Sequence, residues 1–144
     1  MVEIKQIKEV TPQIVSAFSQ LMPQLAPHLQ APRMEDLSNI INDKNKYIFI
    51  ASNPQIVGTI TLVIVNIPSG TRAWIEDVIV DQEARGQSIG EKMLQYVIDF
   101  AKKLNVASIN LTSSPSRIAA NKLYQKLGFN LRETNVYRID VDKS

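Results

Sequence analysis

Apolar residues along this chain follow two rhythms, and the switches between them predict the architecture. Val2 and Ile4, with Ile7 at the limit, alternate with charged residues and predict a first strand. Thr11-Pro12 reads as a helix start: a capping hydroxyl, then proline at the first helical position. Ile14, Val15, Phe18, Leu21, Met22 and Leu25 recur at helical spacing, so this helix packs one face onto a core. Its end is expected between Pro23 and Pro27. Residues 28–32 read as a connection, with His28 a loop or surface residue and a substrate contact as the sharper alternative. Met34, Leu37, Ile40 and Ile41 predict a short second helix that stops near residues 42–45.

The chain then changes to short apolar runs separated by turns. Residues 47–51 read as a strand, Asn53-Pro54-Gln55 as a turn and residues 56–65 as a longer strand, close enough for an antiparallel hairpin. Gly58 marks either a bulge or a close approach. After the turn Pro68-Ser69-Gly70, residues 73–80 form the next strand. Three strands in a row therefore make a meander before any long helix.

The order changes again to helix, strand, helix, strand. From Ile89 a helix carries Ile89, Met93, Val97, Phe100 or Ala101, and Leu104 on one face, with Asn105 as a left-handed terminator. Residues 106–111 follow as a strand. A strand-helix-strand crossover of this length implies parallel, right-handed pairing. Residues 112–116 are a polar loop, residues 117–127 a helix, and Gly128 its terminator. Residues 129–141 read as a last strand region, broken near Asn135, and the tail is charged. The fold class is α/β (α+β): a mixed, mostly antiparallel sheet flanked by helices.

Composition narrows the chemistry. The length of 144 residues fits a single domain with a real core, and nothing suggests a repeat or an interdomain linker. A net charge of +2, with no basic run, does not argue for nucleic acid. The chain has no cysteine, which removes disulfides, thiolate zinc sites and a cysteine nucleophile together. Its single histidine makes a His-based metal site improbable, so no metal is expected. The first residues do not resemble a signal peptide, and no window approaches the roughly 20 apolar residues of a membrane helix. The expectation is a cytoplasmic protein with no membrane partner.

The chemistry gathers where the strand Trp74-Ile75-Glu76-Asp77-Val78-Ile79-Val80 runs into Arg85-Gly86-Gln87-Ser88-Ile89-Gly90. A helix start offers unpaired N–H groups and the positive end of a dipole, which suit phosphate. Glycine lets backbone approach the ligand. The spacing is neither the Rossmann pattern nor a P-loop. The alternative is a structural turn, in which Ser88 and Glu91 form a capping box and consume those N–H groups.

Arg85-Gly86-Gln87-Ser88-Ile89-Gly90 resembles the Arg/Gln-x-x-Gly-x-Gly/Ala loop of the GCN5-related N-acetyltransferases (GNAT). Glu76-Asp77-Val78-Ile79-Val80-Asp81 resembles that family's fourth strand. Arg117, Ala120, Asn121, Leu123, Tyr124, Lys126, Gly128 and Phe129 resemble its second signature. The order of elements extends the resemblance over nearly the whole chain. Ser88 departs from the pattern at a position that is usually glycine, although glucosamine-phosphate acetyltransferases also carry a larger residue there.

The resemblance implies the GNAT acyl-CoA N-acyltransferase fold, with a central parallel strand pair that splays apart. It implies acetyl-CoA as co-substrate. The pantetheine arm would enter the gap and pair with backbone of Val78, Ile79 and Val80. The diphosphate would lie on the amides from Arg85 to Gly90, with Glu91 at the helix start. Asn121, and with it Arg117, would contact coenzyme A. An amine would attack the thioester directly, consistent with the absent cysteine. Glu76 is the candidate base, with a structural carboxylate that holds a bulge or pairs with Arg72 as the alternative. Asp77 points to the other face of a regular strand, and a bulge changes that. A backbone N–H near Val78 would face the oxyanion, and Tyr124 would protonate the leaving thiolate. Trp74 reads as core filling, and Arg72 as a solvated charge. The acceptor is read as a small-molecule amine. A peptide amine, at an N-terminus or a lysine, and a non-catalytic acyl-CoA sensor are the alternatives. The C-terminal strand region is a candidate for pairing at a homodimer edge, as in many relatives.

Overall fold

The computed structural model describes residues 1–141. The chain forms two compact units that divide between Thr112 and Ser113. The first holds strands β1 (Glu3–Gln6), β2 (Lys46–Ser52), β3 (Ile56–Ile67), β4 (Gly70–Val80) and β5 (Ser108–Asn110). Its helices are α1 (Pro12–Leu25), α2 (Met34–Ile41) and α3 (Ile89–Lys102). The five strands make one sheet in chain order, antiparallel throughout except for the parallel pair β4–β5. This is the expected mixed sheet.

Local chemistry sets most boundaries. The Thr11 hydroxyl accepts a hydrogen bond from the Ile14 N–H at 3.2 Å, and Pro12 opens α1 without losing a helical bond. The helix stops at Leu25, between the two prolines. Pro68 and Ser69 turn β3 into β4, with Gly70 at φ 135°. Asn105 follows α3 at φ 57°, as its left-handed role predicts.

The sheet is covered on both faces, which explains why β2 reads as a continuous apolar run rather than an alternation. Ile48 and Ile50 pack with Ile14, Phe18 and Leu37 from α1 and α2. Phe49 turns the other way and meets Tyr96 and Phe100 of α3 edge-on, at centroid distances of 5.6 and 5.1 Å. At Gly58 both readings hold. The β2–β3 register slips between Ala51 and Ser52, and an added Cβ at Gly58 would lie 3.1 Å from Met93 Sδ and from the Ile79 carbonyl oxygen. Among the described residues no helix is long and apolar enough to cross a membrane.

The second unit begins with the loop that precedes α4 (Ile118–Lys126). Two reverse bonds close this helix: Gly128 N–H to the Gln125 carbonyl at 3.1 Å, and Phe129 N–H to the Tyr124 carbonyl at 3.0 Å. With Gly128 at φ 106°, this is a Schellman closure, so the predicted glycine terminator is present.

The strand expected over residues 129–141 is not formed within the described residues. Leu131, Val136, Tyr137, Ile139 and Val141 are all exposed. Alternating apolar residues say which face a strand would bury; they do not supply the edge that a strand needs for stability. The end of the charged tail, residues 142–144, lies outside the described residues. The strand predicted over residues 106–111 shortens to β5, because only that part meets β4.

Candidate active site

The parallel ladder pairs Arg72 with Ser108, Ala73 with Ile109 and Trp74 with Asn110, and there it ends. β4 continues to Val80 without β5 beside it, so Val78, Ile79 and Val80 lie on a strand whose far edge has no strand partner among the described residues. The opposite edge of β4 is bulged. Glu76 pairs with Thr61 and Ile79 with Thr59, which leaves Asp77 and Val78 together opposite Ile60. Asp77 takes up the distortion at φ 50°, a left-handed geometry that aspartate tolerates better than most residues. The regular-strand expectation for Asp77 is thereby replaced by the bulge. Glu76 shares a row with Thr61 and, through it, Ile48, which is the sheet face carrying α1 and α2.

Glu76 and Asp77 are exposed by surface area, yet the surrounding protein removes part of their water. Burial raises the Glu76 carboxyl above its usual range, and the Asp77 charge beside it raises it further. Burial also raises Asp77. Among the described residues neither carboxylate meets a cation or a hydrogen-bond donor. The alternative of a Glu76–Arg72 pair is therefore not realised; an Arg72 guanidinium N–H instead donates to the Ser69 hydroxyl.

The loop after β4 is built by its own polar groups. Asp81 is buried, and its carboxylate accepts from the Glu83 N–H at 3.0 Å, capping a short 3-10 turn over Gln82–Ala84. Arg85 follows, then Gly86 at φ 85° and Ser88 at φ 60°. Ser88 is the N-cap of α3, but its hydroxyl makes no capping bond, so the Ser88–Glu91 box is not formed. The reason is conformational. A capping side chain reaches the next turn from extended backbone, and Ser88 is left-handed. The amides opening α3 are thus not taken up by the Ser88 side chain. Glu91 lies in that first turn. Gly90 has no packing reason to be glycine: an added Cβ would meet only Val80 Cγ2, at 3.7 Å.

In the second unit Tyr124 is buried on α4, with its ring against Phe129. The Asn121 amide nitrogen donates to the Ser114 and Arg117 carbonyls at 2.9 and 2.8 Å, bracing the loop that leads into α4. Arg117 occupies the N-cap position of that helix. His28 and Trp74 differ as expected: the histidine is exposed and the tryptophan half-buried. Two residues that sequence reasoning passed over also reach the site. Gln20 and Gln24 of α1 bond to Asp81 and Gln82 at the start of the loop. Polar residues on an outer helix face carry no sequence signal for such a contact.

An open strand edge, a bulge and a left-handed glycine turn into a helix thus follow one another along β4 and the loop after it. Residues 11–129 match the Acetyltransferase (GNAT) family, and the chain belongs to that family. The uncharacterised N-acetyltransferase YhdJ of Bacillus subtilis is 31% identical over 78 residues, covering 54% of each chain. The chain thus spans about half the length of curated relatives it matches. A transcriptional regulator from Bacillus halodurans superimposes with a TM-score of 0.80 at 25% identity, covering 97% of this chain and 100% of that one. An aminoglycoside acetyltransferase from a soil metagenome has the same fold, with a TM-score of 0.80 at 21% identity, covering 99% and 97%.

Proposed function

We propose that this protein transfers the acetyl group of acetyl-CoA directly to a primary amine of a small molecule. The observation that carries this reading is the early end of the β4–β5 ladder at Trp74 and Asn110, which leaves β4 open on that side up to Val80, ahead of the loop that holds Gly86. Extended pantetheine is chemically a peptide analogue, so an unpaired strand edge suits it. Its hydrogen-bond partners are backbone groups of Val78, Ile79 and Val80. The diphosphate is assigned to the amides of Arg85, Gly86, Gln87, Ser88, Ile89 and Gly90, at the positive end of α3, with Glu91 in its first turn. Asn121 is assigned a coenzyme A contact through its motif position.

In the reaction the amine nitrogen attacks the thioester carbonyl carbon. A C–N bond forms and the C–S bond breaks. Glu76 takes the proton from nitrogen, and a carboxyl held above its usual range is better matched to that task near neutral pH. The Val78 N–H is assigned to the oxyanion. Tyr124 gives a proton to the departing thiolate. The acceptor reaches the protein as a cation, and the unpaired Glu76 and Asp77 suit its capture; it gives one proton to solvent before the attack, and afterwards Glu76 releases its proton to solvent while Tyr124 regains one from it.

Calorimetric titration with acetyl-CoA tests the cofactor reading. Gly86→Asn and Gly86→Asp tolerate left-handed backbone similarly, so their difference isolates charge. Wild type should bind in the micromolar range; Gly86→Asp should bind much more weakly than Gly86→Asn. Equal binding by the two variants, or no binding by wild type at millimolar acetyl-CoA, contradicts the reading.

A further inference from the structure

α1 is fastened to the start of the acetyl-CoA loop by side-chain bonds the proposed reaction does not use. Gln20 Nε2 donates to Asp81 Oδ2 at 3.3 Å. Gln24 Oε1 accepts from the Gln82 N–H at 2.9 Å, while its Nε2 donates to the Gln20 carbonyl at 3.2 Å. Those two bonds define which end of the Gln24 amide faces the loop. Gln20 and Gln24 stand one turn apart on α1 and so share a face. Their partners are the residues where the chain leaves β4. Asp81 is buried, anchored by its N–H to the Val57 carbonyl at 2.8 Å, and its other carboxylate oxygen caps the turn that leads to Arg85.

We propose that Gln20 and Gln24 are positioning residues for acetyl-CoA: they hold the exit of β4 so that the amides from Arg85 to Gly90 are ordered before the diphosphate arrives. This rests on the cofactor reading given above. Gln20 supplies a donor to Asp81 Oδ2, the carboxylate oxygen that the Glu83 N–H does not reach. Gln24 supplies an acceptor to an amide at the open end of a short turn, where helical bonds are missing. A loop ordered in the free protein costs less to bind. Releasing the clasp therefore weakens acetyl-CoA binding more than it slows the bound reaction.

The test uses the full chain and acetyl-CoA itself, with Kd by calorimetry, KM and kcat by thiol release, and melting temperature. Gln20→Met and Gln24→Met keep length and neutrality but remove the polar ends. Each should raise Kd and KM by roughly fivefold, the scale of one hydrogen bond, with a smaller change in kcat. Gln20→Arg restores a donor to Asp81 and should return Kd to within about twofold of wild type. Gln20→Glu sets a second carboxylate against Asp81 and should bind more weakly than Gln20→Met. Methionine variants that bind like wild type overturn the clasp and leave the cofactor reading standing. Melting temperature, kcat and affinity falling together, with no rescue by Gln20→Arg, assign the bonds to general stability and overturn it as well. A wild type that does not bind acetyl-CoA removes the cofactor reading and the clasp with it.

Discussion

The backbone N–H of Phe129 donates to the carbonyl of Tyr124 at 3.0 Å, and their rings meet edge-on with centroids 6.1 Å apart. One residue pair thus closes the end of α4 and supports the ring of its most buried side chain. An aromatic pair of this geometry adds about 0.5–1.5 kcal/mol beyond its buried area. Phe129→Ala should lower unfolding free energy by about 2 kcal/mol in a denaturant titration, the pair energy plus some lost burial. It should also lower kcat, because the Tyr124 ring loses its support. A loss of stability with unchanged kcat would separate Tyr124 from the chemistry.

Tyr124→Phe asks the complementary question. The ring contact with Phe129 survives and only the hydroxyl is lost. As the proposed thiolate donor, Tyr124 should contribute on the order of 10²-fold in kcat, with little change in KM for acetyl-CoA. Steady-state thiol release measures both. A kcat within about twofold of wild type removes Tyr124 from the mechanism, since general-acid effects are far larger.

The two carboxylates at the bulge predict a pH signature. Glu76 must be ionised to accept a proton, and burial and then the Asp77 charge raise it. The acid limb of kcat/KM should lie above the ordinary carboxylate range. Asp77→Asn removes the neighbouring charge and still tolerates φ 50°, so the limb should move to lower pH. Stability changes in a linked way. A carboxyl raised in the folded state destabilises the fold once pH exceeds both its unfolded and folded values. Asp77→Asn should therefore raise the melting temperature at neutral pH, and the gain should vanish below about pH 3, where the carboxyls are protonated in both states. An acid limb that stays in place argues against Glu76 as the base.

Gly58 and Gly90 should separate packing from binding. A methyl at Gly58 meets Met93 and the Ile79 carbonyl at 3.1 Å, so Gly58→Ala should cost about 1–3 kcal/mol through overpacking. A methyl at Gly90 meets only ordinary contact, and alanine is the better helix former by about 1 kcal/mol. Gly90→Ala should melt at or above the wild-type temperature yet bind acetyl-CoA more weakly. Calorimetry and a thermal scan on both variants decide it. Unchanged affinity in Gly90→Ala would deny that the ligand backbone approaches there.

Much of this architecture is legible because short-range chemistry specifies it. Thr11 and Pro12 start α1, Pro23 and Pro27 bracket its end, and Asn105 and Gly128 take the left-handed turns that their side chains permit. The length of β5 is not legible, because it depends on where β4 runs alongside, and the alternation over residues 129–141 marks a face without forming a strand within the described residues. The bulge at Asp77 is hidden for a related reason: period two marks a face, and a bulge breaks the period without changing composition. Ser88 and Glu91 match a capping box by letter, but left-handed backbone at Ser88 prevents it. The loop and Tyr124 stand out as candidates only through motif resemblance, since a tyrosine among Ala120, Leu123 and Leu127 reads by periodicity as packing. The Gln20 and Gln24 contacts join α1 to a segment far away in sequence, and only the fold brings them together.

The measurement that bears most directly on the proposed transfer is thiol release from acetyl-CoA against a panel of small primary amines and short peptides. The account predicts release that depends on a small amine, saturates with it, yields its N-acetyl product and is nearly lost in Tyr124→Phe. Release only with peptides would replace the small-molecule acceptor. Binding of acetyl-CoA without amine-dependent release across the panel would contradict the transfer itself.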